Sequence, residues 1–156
     1  MRGNWMLDDL LLQPQARDIP RPARSEGSLV GRIEIPRLSL SEIVFEGTSD
    51  RILDRGVGHL TGSASPGESG NLVLAGHRDS FFRKLRGIQD GDIVNVSSLD
   101  GEFEYIVEST AIVNPDATEV LRRSEDATLT LITCYPFRYI GSAPQRFIVR
   151  AKKVGT

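Results

Sequence analysis

From Leu29 onward the chain consists of short runs rich in Val, Ile, Thr and aromatic residues, separated by clusters of Gly, Pro, Asp and Ser. β-Branched and aromatic residues in runs of this length pack well on a pleated surface, so the pattern predicts an all-β barrel or sandwich. The predicted strands span residues 31–35, 38–45, 71–76, 92–99, 102–113, 127–133 and 145–152.

Two further local signals complete the predicted fold. The pair Asp100-Gly101 favours a two-residue hairpin turn, so the strand at 92–99 is expected to pair antiparallel with the strand that follows it. Residues 50–55, 80–86 and 117–123 are predicted to form short helices within loops. The expected domain is therefore mostly β.

The first 28 residues differ in composition from the rest. A short apolar patch at residues 6–12 precedes a stretch rich in Pro, Arg and Ser, which predicts an extended linker because Pro restricts its neighbour and lacks an N–H donor. We therefore divide the chain into an N-terminal patch and linker (1–28) and one domain (29–156). No run approaches the roughly 20 apolar residues of a spanning helix, and we expect a soluble chain without a signal peptide.

Composition excludes several classes of function. The chain has 156 residues, with 19 Lys and Arg against 21 Asp and Glu, so it lacks the overall positive charge typical of nucleic-acid binders. It contains one cysteine, which excludes an intramolecular disulfide and a structural zinc site built on several cysteines. That cysteine is then either an inert core residue or a reactive group.

Cys134 follows the run at 128–133 and precedes Tyr135-Pro136, so we expect it at the end of a strand. Strand alternation separates residues 129, 131 and 133 from residues 130, 132 and 134. In the next strand the apolar residues at 147, 149 and 151 are expected to face the core, which leaves Arg146 on the same outer face as Cys134. Both residues are equidistant from Ile140, so a hairpin centred there places them directly opposite each other.

Blander interpretations of both residues remain open at this point. Cys134 would then be a small buried hydrophobe, and Arg146 a solvated charge at a sheet edge. Two histidines are candidates for a partner of the thiol. His77 ends an apolar strand and is followed by polar residues, whereas His59 lies in a Gly-rich segment; spacing favours His77 without deciding between them. An imidazole beside a cysteine can take or hold its proton.

Three segments connect these residues to a known family. The run TLITC at 130–134 resembles the TLxTC signature of sortases, and its continuation to TCYPF is similar to the class D variant. The run AGHR at 75–78, with Phe82 and Leu85, resembles the sortase histidine segment, which favours His77 over His59. Arg146, twelve residues after the cysteine, matches the family arginine. The resemblance extends over residues 31–154.

The resemblance implies a single eight-stranded β-barrel with short helices in its loops, and a cysteine transpeptidase. Cys134 would attack an LPxTG-like sorting motif after its Thr, His77 would act as the acid and then the base, and Arg146 would stabilise the substrate or the oxyanion. Thr133 is a weaker candidate for substrate binding. A bell-shaped dependence of activity on pH is expected from the Cys-His pair.

The resemblance also implies partners and a location. The substrates would be secreted proteins with a C-terminal sorting motif, and the acceptor a peptidoglycan cross-bridge or a pilin lysine, at the extracytoplasmic face of the bacterial membrane. Sortases usually carry a membrane anchor, so the resemblance implies a membrane-anchored native protein, although this sequence shows no anchor. No carboxylates have the spacing of a calcium loop, so we expect no metal and no other cofactor. The alternatives are a hydrolytic cysteine peptidase and a non-catalytic β-barrel binding module.

Overall fold

Eight strands close into a barrel in the computed structural model, which describes residues 24–77, 80–122, 124–135 and 145–155. The predicted all-β fold is confirmed. The strands are β1 (Leu29–Ile35), β2 (Leu40–Glu46), β3 (Val57–His59), β4 (Gly70–Ala75), β5 (Ile93–Ser98), β6 (Gly101–Val113), β7 (Ala127–Tyr135) and β8 (Gln145–Lys153).

The strand β3 was not predicted, because it has three residues and its middle residue is glycine. That glycine is required by packing: a β-carbon on Gly58 would lie 2.2 Å from the carbonyl oxygen of Gly47. Gly58 therefore marks a close approach of two backbones rather than a loop.

The helical segments are shorter than expected. One α-helix, α1, spans Asp50–Leu53, and the 3-10 helices are η1 (Pro36–Leu38), η2 (Arg83–Gly87) and η3 (Thr118–Leu121). Short helices were predicted near α1, η2 and η3. The helix η1 was not predicted: it fills the gap at 36–37 between two predicted strands and includes Leu38, the first residue of the second. The proline at position 36 interrupts the extended run there, because its ring fixes φ near the helical value.

The predicted hairpin between β5 and β6 forms, with its turn one residue earlier than expected. Ser98 pairs with Gly101, so Leu99 and Asp100 are the two loop residues. Gly101, with φ of 136°, supplies the backbone conformation that a side chain disfavours. Asp-Gly thus identified the hairpin correctly, but its glycine belongs to the first pair of the ladder.

The order of strands around the barrel is β1-β2-β3-β4-β7-β8-β6-β5, and β5 pairs with β1 to close it. Two neighbouring pairs, β2 with β3 and β4 with β7, are parallel, and the other pairs are antiparallel. The pairing of β4 with β7 brings together segments more than fifty residues apart, and it determines which chemical groups meet.

Apolar side chains form two clusters on opposite faces of β7. Leu129 and Leu131 lie in the larger cluster with Val149 of β8, whereas Ile132 lies in a second cluster with Ile148 and residues of η3. The predicted division of these strands into two faces is confirmed. Both faces of β7 are buried, because η3 covers the outer face.

The N-terminal boundary stays a prediction. β1 begins at Leu29, the first residue of the predicted domain, but residues 1–23 lie outside the described part of the chain. Among the described residues, no helix has the length and hydropathy needed to cross a bilayer.

Candidate active site

Cys134 and Arg146 occupy directly opposed positions on two adjacent strands. The antiparallel register of β7 and β8 pairs Cys134 with Arg146 and Tyr135 with Gln145. The pairing inferred from a hairpin centred on Ile140 is therefore correct. The β-carbons of residues paired in this way lie about 5 Å apart. The loop at 136–144, in which Ile140 lies, is outside the described residues.

His77 follows the strand on the other side of β7. In the parallel ladder of β4 and β7, Ala75 pairs with Ile132, and the N–H of Gly76 donates to the carbonyl of Ile132 at 3.1 Å. His77 and Cys134 each stand two residues beyond that last pair, so they occupy equivalent positions on neighbouring chains. The three predicted site residues thus lie side by side across three adjacent segments.

The backbone around His77 is held by a tight turn. The carbonyl of His77 accepts from the N–H groups of Ser80 at 3.4 Å and Phe82 at 3.1 Å. Phe82 is fully buried, and its ring covers Gly76, where a β-carbon would lie 2.7 Å from the ring atom Cδ2. Glycine at position 76 therefore allows the ring to lock the turn that carries His77. The neighbouring Arg78 of the family segment lies outside the described residues.

The imidazole of His77 is partly open to solvent, with 22% of the side chain exposed. Its Nε2 lies 3.4 Å from Oδ1 of Asp54, the residue that follows α1. The sequence did not single out Asp54, which is one of many scattered acidic residues. Only the packing of α1 beside β3 shows that it lies next to the histidine.

Arg146 is a buried residue, with 5% of its surface exposed. Its strand, β8, lies between β6 and β7, and Arg146 pairs with Val113 on one side and Cys134 on the other. Its Nη1 donates to the carbonyl of Gln145 at 3.0 Å. The alternative that Arg146 is a solvated charge at a sheet edge is therefore wrong.

Thr133 precedes the cysteine and is completely buried. Its Oγ1 is shielded from solvent and has no hydrogen-bond partner among the described residues. Because an unpaired buried hydroxyl costs free energy, such a group is unusual in a barrel of this kind. Its role in substrate binding stays a proposal.

His59, the competing histidine, belongs to the barrel wall. It is 2% exposed, and its Nδ1 lies 2.8 Å from Oε1 of Glu46. Its Nε2 lies 2.9 Å from the carbonyl oxygen of Ala64 and 3.1 Å from Oγ of Ser63. Both ring nitrogens are engaged by the protein itself, and a substrate has no access to either.

Glu46 is the anchor of this buried group. Burial by itself raises the pKa of its carboxyl, but hydrogen bonds from His59 and Thr61, and the positive charges of His59 and Arg24, leave the pKa below its usual value. The carboxylate therefore stays ionised while it ties β2 to β3. The role of His59 is therefore structural, as is often the case for buried histidines.

Among the residues that the structure describes, no three His, Cys, Asp or Glu side chains come together as a metal site. The expectation that no metal or cofactor is required stays a prediction.

Comparisons with known proteins agree with this geometry. Residues 33–154 match the family model of the sortase domain. Sortase D of Bacillus subtilis is 40% identical over 129 residues, which are 82% of this chain and 65% of that protein. A sortase D5 transpeptidase of Clostridium perfringens superposes with a TM-score of 0.77 at 29% identity, over 84% of this chain and 82% of that one.

A third relative comes from a different sortase class. Sortase C-1 of Actinomyces oris superposes with a TM-score of 0.74 at 36% identity, over 81% of this chain and 73% of that one. The chain spans slightly less than two thirds of the length of the Bacillus subtilis relative. The family match nevertheless covers most of the chain, including β7, which carries the cysteine, and its two neighbours β4 and β8. This chain belongs to the sortase family.

Proposed function

We propose that this protein is a cysteine transpeptidase that cleaves an LPxTG-like sorting motif after Thr and transfers the resulting acyl group to an amine. One observation carries the proposal: within a sortase barrel, Cys134 lies directly opposite Arg146 and level with His77 on the parallel neighbour. Each of the three residues is of the type that acyl transfer through a thioester requires.

In the first half-reaction the sulfur of Cys134, as a thiolate, forms a bond to the carbonyl carbon of the threonine. The carbonyl oxygen takes the electron pair and becomes an oxyanion. When that intermediate collapses, the C–N bond to the next residue breaks, and protonated His77 gives its proton to the leaving amine. The product is a thioacyl-enzyme with a neutral imidazole.

In the second half-reaction an amine acceptor attacks the thioester. His77, now neutral, takes the proton that the amine loses as the new C–N bond forms. The C–S bond then breaks and the thiolate leaves, which returns Cys134 and His77 to their starting states. A hydrolytic peptidase would use the same residues, with water in place of the amine.

Arg146 is proposed to stabilise the oxyanion or to bind the substrate backbone. The support for this role is that Arg146 is buried and lies on β8 directly opposite the nucleophile. A preorganised donor in a site shielded from water stabilises developing charge by several kcal/mol. Thr133 is proposed to assist, and its support is the buried hydroxyl that has no partner among the described residues.

The partners follow from the same proposal. The substrates would be secreted proteins with a sorting motif near the C-terminus, and the acceptor a peptidoglycan cross-bridge or a pilin lysine. The reaction would then take place at the extracytoplasmic face of the bacterial membrane. Sortases typically work at this surface on proteins that carry such motifs, and the family membership of the chain supports the general kind of partner.

The decisive experiment is mass spectrometry of the protein incubated with LPxTG-type peptides, with and without an amine such as oligoglycine or a lysine peptide. We expect an acyl adduct on Cys134 that resolves to an amine-ligated product. Neither Cys134→Ala nor His77→Ala should form that product, because the first lacks the nucleophile and the second lacks the proton donor. Release of the peptide acid alone with every amine would indicate a hydrolase.

Arginine variants test the third residue of the site. Arg146→Lys keeps the charge but loses the planar fork of donors, and we expect at least a tenfold loss of kcat/KM. Arg150→Lys is the matched control, because Arg150 lies four residues further along the same strand. Equal activity of the two variants would remove Arg146 from the reaction.

Absence of any adduct across a broad peptide library, with slow alkylation of Cys134, would favour the non-catalytic binding module.

A further inference from the structure

We propose that Asp54 is a positioning residue for His77, and that its carboxylate holds the imidazole at Nε2. The inference rests on the acid–base function proposed above for His77. Its structural basis is the distance of 3.4 Å between Oδ1 of Asp54 and Nε2 of His77.

The nitrogen of His77 that lies next to Asp54 is Nε2. It is shielded from solvent, although 22% of the side chain is exposed. The neighbouring atom of Asp54 is a carboxylate oxygen, which can only accept. A neutral His77 is therefore expected to carry its proton on Nε2, where it faces the carboxylate of Asp54.

The contact of 3.4 Å is an ion-pair distance, slightly longer than a direct hydrogen bond. Catalytic contacts of this kind are often long in the free enzyme and shorten when substrate binds. A small rotation of the Asp54 carboxylate is enough to shorten it, and 53% of that side chain is exposed.

The backbone of Asp54 is fixed by its neighbours. Its N–H donates to the carbonyl of Asp50 at 2.9 Å, which ends helix α1. Leu53, the preceding residue, is buried in the same outer apolar cluster as Ala75, which stands two residues before His77. One packed cluster therefore sets the positions of both the carboxylate and the imidazole, although the two residues come from different elements.

Asp54 would act on the reaction by fixing the orientation of the imidazole ring through Nε2. Solvent screens a charge that is half exposed, so we expect loss of the Asp54 carboxylate to lower kcat only several-fold. Removing a residue that touches the substrate would cause a loss of about a thousandfold.

A kinetic test compares three variants over a range of concentrations, up to saturation, of a fluorogenic LPxTG-type peptide. Asp54→Asn removes the charge, and we expect kcat about five- to tenfold lower with KM within about twofold of native. Asp54→Glu keeps a carboxylate and should restore at least half of kcat. Asp90→Asn, an exposed carboxylate remote from His77 in the chain, is the charge-matched control and should leave both constants unchanged.

Three kinetic results would overturn the inference. The first is a kcat of Asp54→Asn equal to that of the native protein. The second is an equal loss in Asp54→Asn and Asp54→Glu, which would indicate a merely structural residue. The third is a raised KM with unchanged kcat, which would indicate a contact with the peptide.

A spectroscopic test does not depend on activity. Long-range ¹H–¹⁵N spectra report which imidazole nitrogen carries the proton, and the chain has only two histidines, which His77→Gln distinguishes. We expect His77 to carry a slowly exchanging proton on Nε2 that exchanges faster in Asp54→Ala. A proton on Nδ1, or exchange that does not change in the variant, would refute the role of Asp54. If the native protein cleaves no peptide, the proposed function fails while this test still decides the contact.

Discussion

Gly76 shows how one residue without a side chain determines the position of a reactive one. The fully buried ring of Phe82 lies where the β-carbon of any other residue would be, and the same phenylalanine closes the turn on the carbonyl of His77. Glycine is needed here for close packing and not for a positive φ, since Gly76 is not among the residues with positive φ. The packing of one ring thus links the core of the barrel to the site.

The change Gly76→Ala tests this link. The methyl group would force Phe82 or the turn to move, and we expect the free energy of unfolding to fall by about 1–3 kcal/mol, as overpacked cores do. Peptide cleavage should fall as well, because His77 shifts with the turn. Urea denaturation and kcat measure the two effects.

The matched control for this change is Gly87→Ala. A β-carbon there would meet only the terminal methyl of Leu38, at 3.2 Å, which can move aside. A loss of stability as large in the control as in Gly76→Ala would contradict the proposed packing.

At the scale of elements, Asn71 ties η3 to the barrel. Its side-chain nitrogen donates to the carbonyls of Val120 at 3.2 Å and Arg122 at 3.1 Å, while its oxygen accepts from Thr130 at 2.7 Å. Asn71 is 3% exposed, so these bonds form away from water. The connection between β6 and β7 is therefore held by one buried amide at the start of β4.

The change Asn71→Asp keeps the shape of this side chain and removes its two donors. A carboxylate oxygen would then face two carbonyl oxygens inside the protein, and we expect a loss of about 3 kcal/mol in the free energy of unfolding. Hydrogen exchange should speed up around Val120 before it does in the strands. Asn114→Asp, an exposed amide in the same connection, should change stability by less than about 0.5 kcal/mol.

At the scale of the whole molecule, an ion pair between distant segments links stability to pH. Arg37 of η1 donates from Nη2 to the Oδ2 atom of Asp92 at 2.8 Å and also to the carbonyl of Gly87. The hydrogen bond from Arg37 is the main cause that lowers the pKa of the Asp92 carboxyl below its usual 3.8, and it outweighs the opposing effect of burial. The pair joins the turn after β1 to the start of β5.

The sign of the pH dependence follows from this lowered pKa. A carboxyl with a lower pKa in the folded state adds stability above its unfolded value, and that stability is lost as the pH falls through the folded value. The urea midpoint of the native protein should therefore exceed that of Asp92→Asn by a constant amount from pH 7 to about 5. Below about pH 4 the difference should shrink.

Urea unfolding of both proteins across this range measures the effect, with Asp90→Asn as the control. The Asp90 variant should match the native protein at every pH, because the side chain of Asp90 is exposed. A difference for Asp92→Asn that is independent of pH would contradict the role of the ion pair.

Periodicity and turn residues alone predicted most of the strands. The exceptions have physical causes: β3 is too short and too rich in glycine to give a pattern, and η1 begins at a proline between two predicted strands and includes the first residue of the second. The 3-10 helices η2 and η3 were predicted as slightly longer helices, because a short run of helix-forming residues does not distinguish a 3-10 helix from an α-helix. Tertiary packing determines their length.

The sequence by itself determined the all-β fold, the two faces of β7 and β8, and the opposition of Cys134 and Arg146, because each depends on residues close together in the chain. Only the tertiary structure decided what lies on the other side of β7. The parallel pairing with β4 brings His77 level with the cysteine, and the packing of α1 brings Asp54 to the histidine. Such contacts join segments far apart in the chain, and no local period or spacing encodes them.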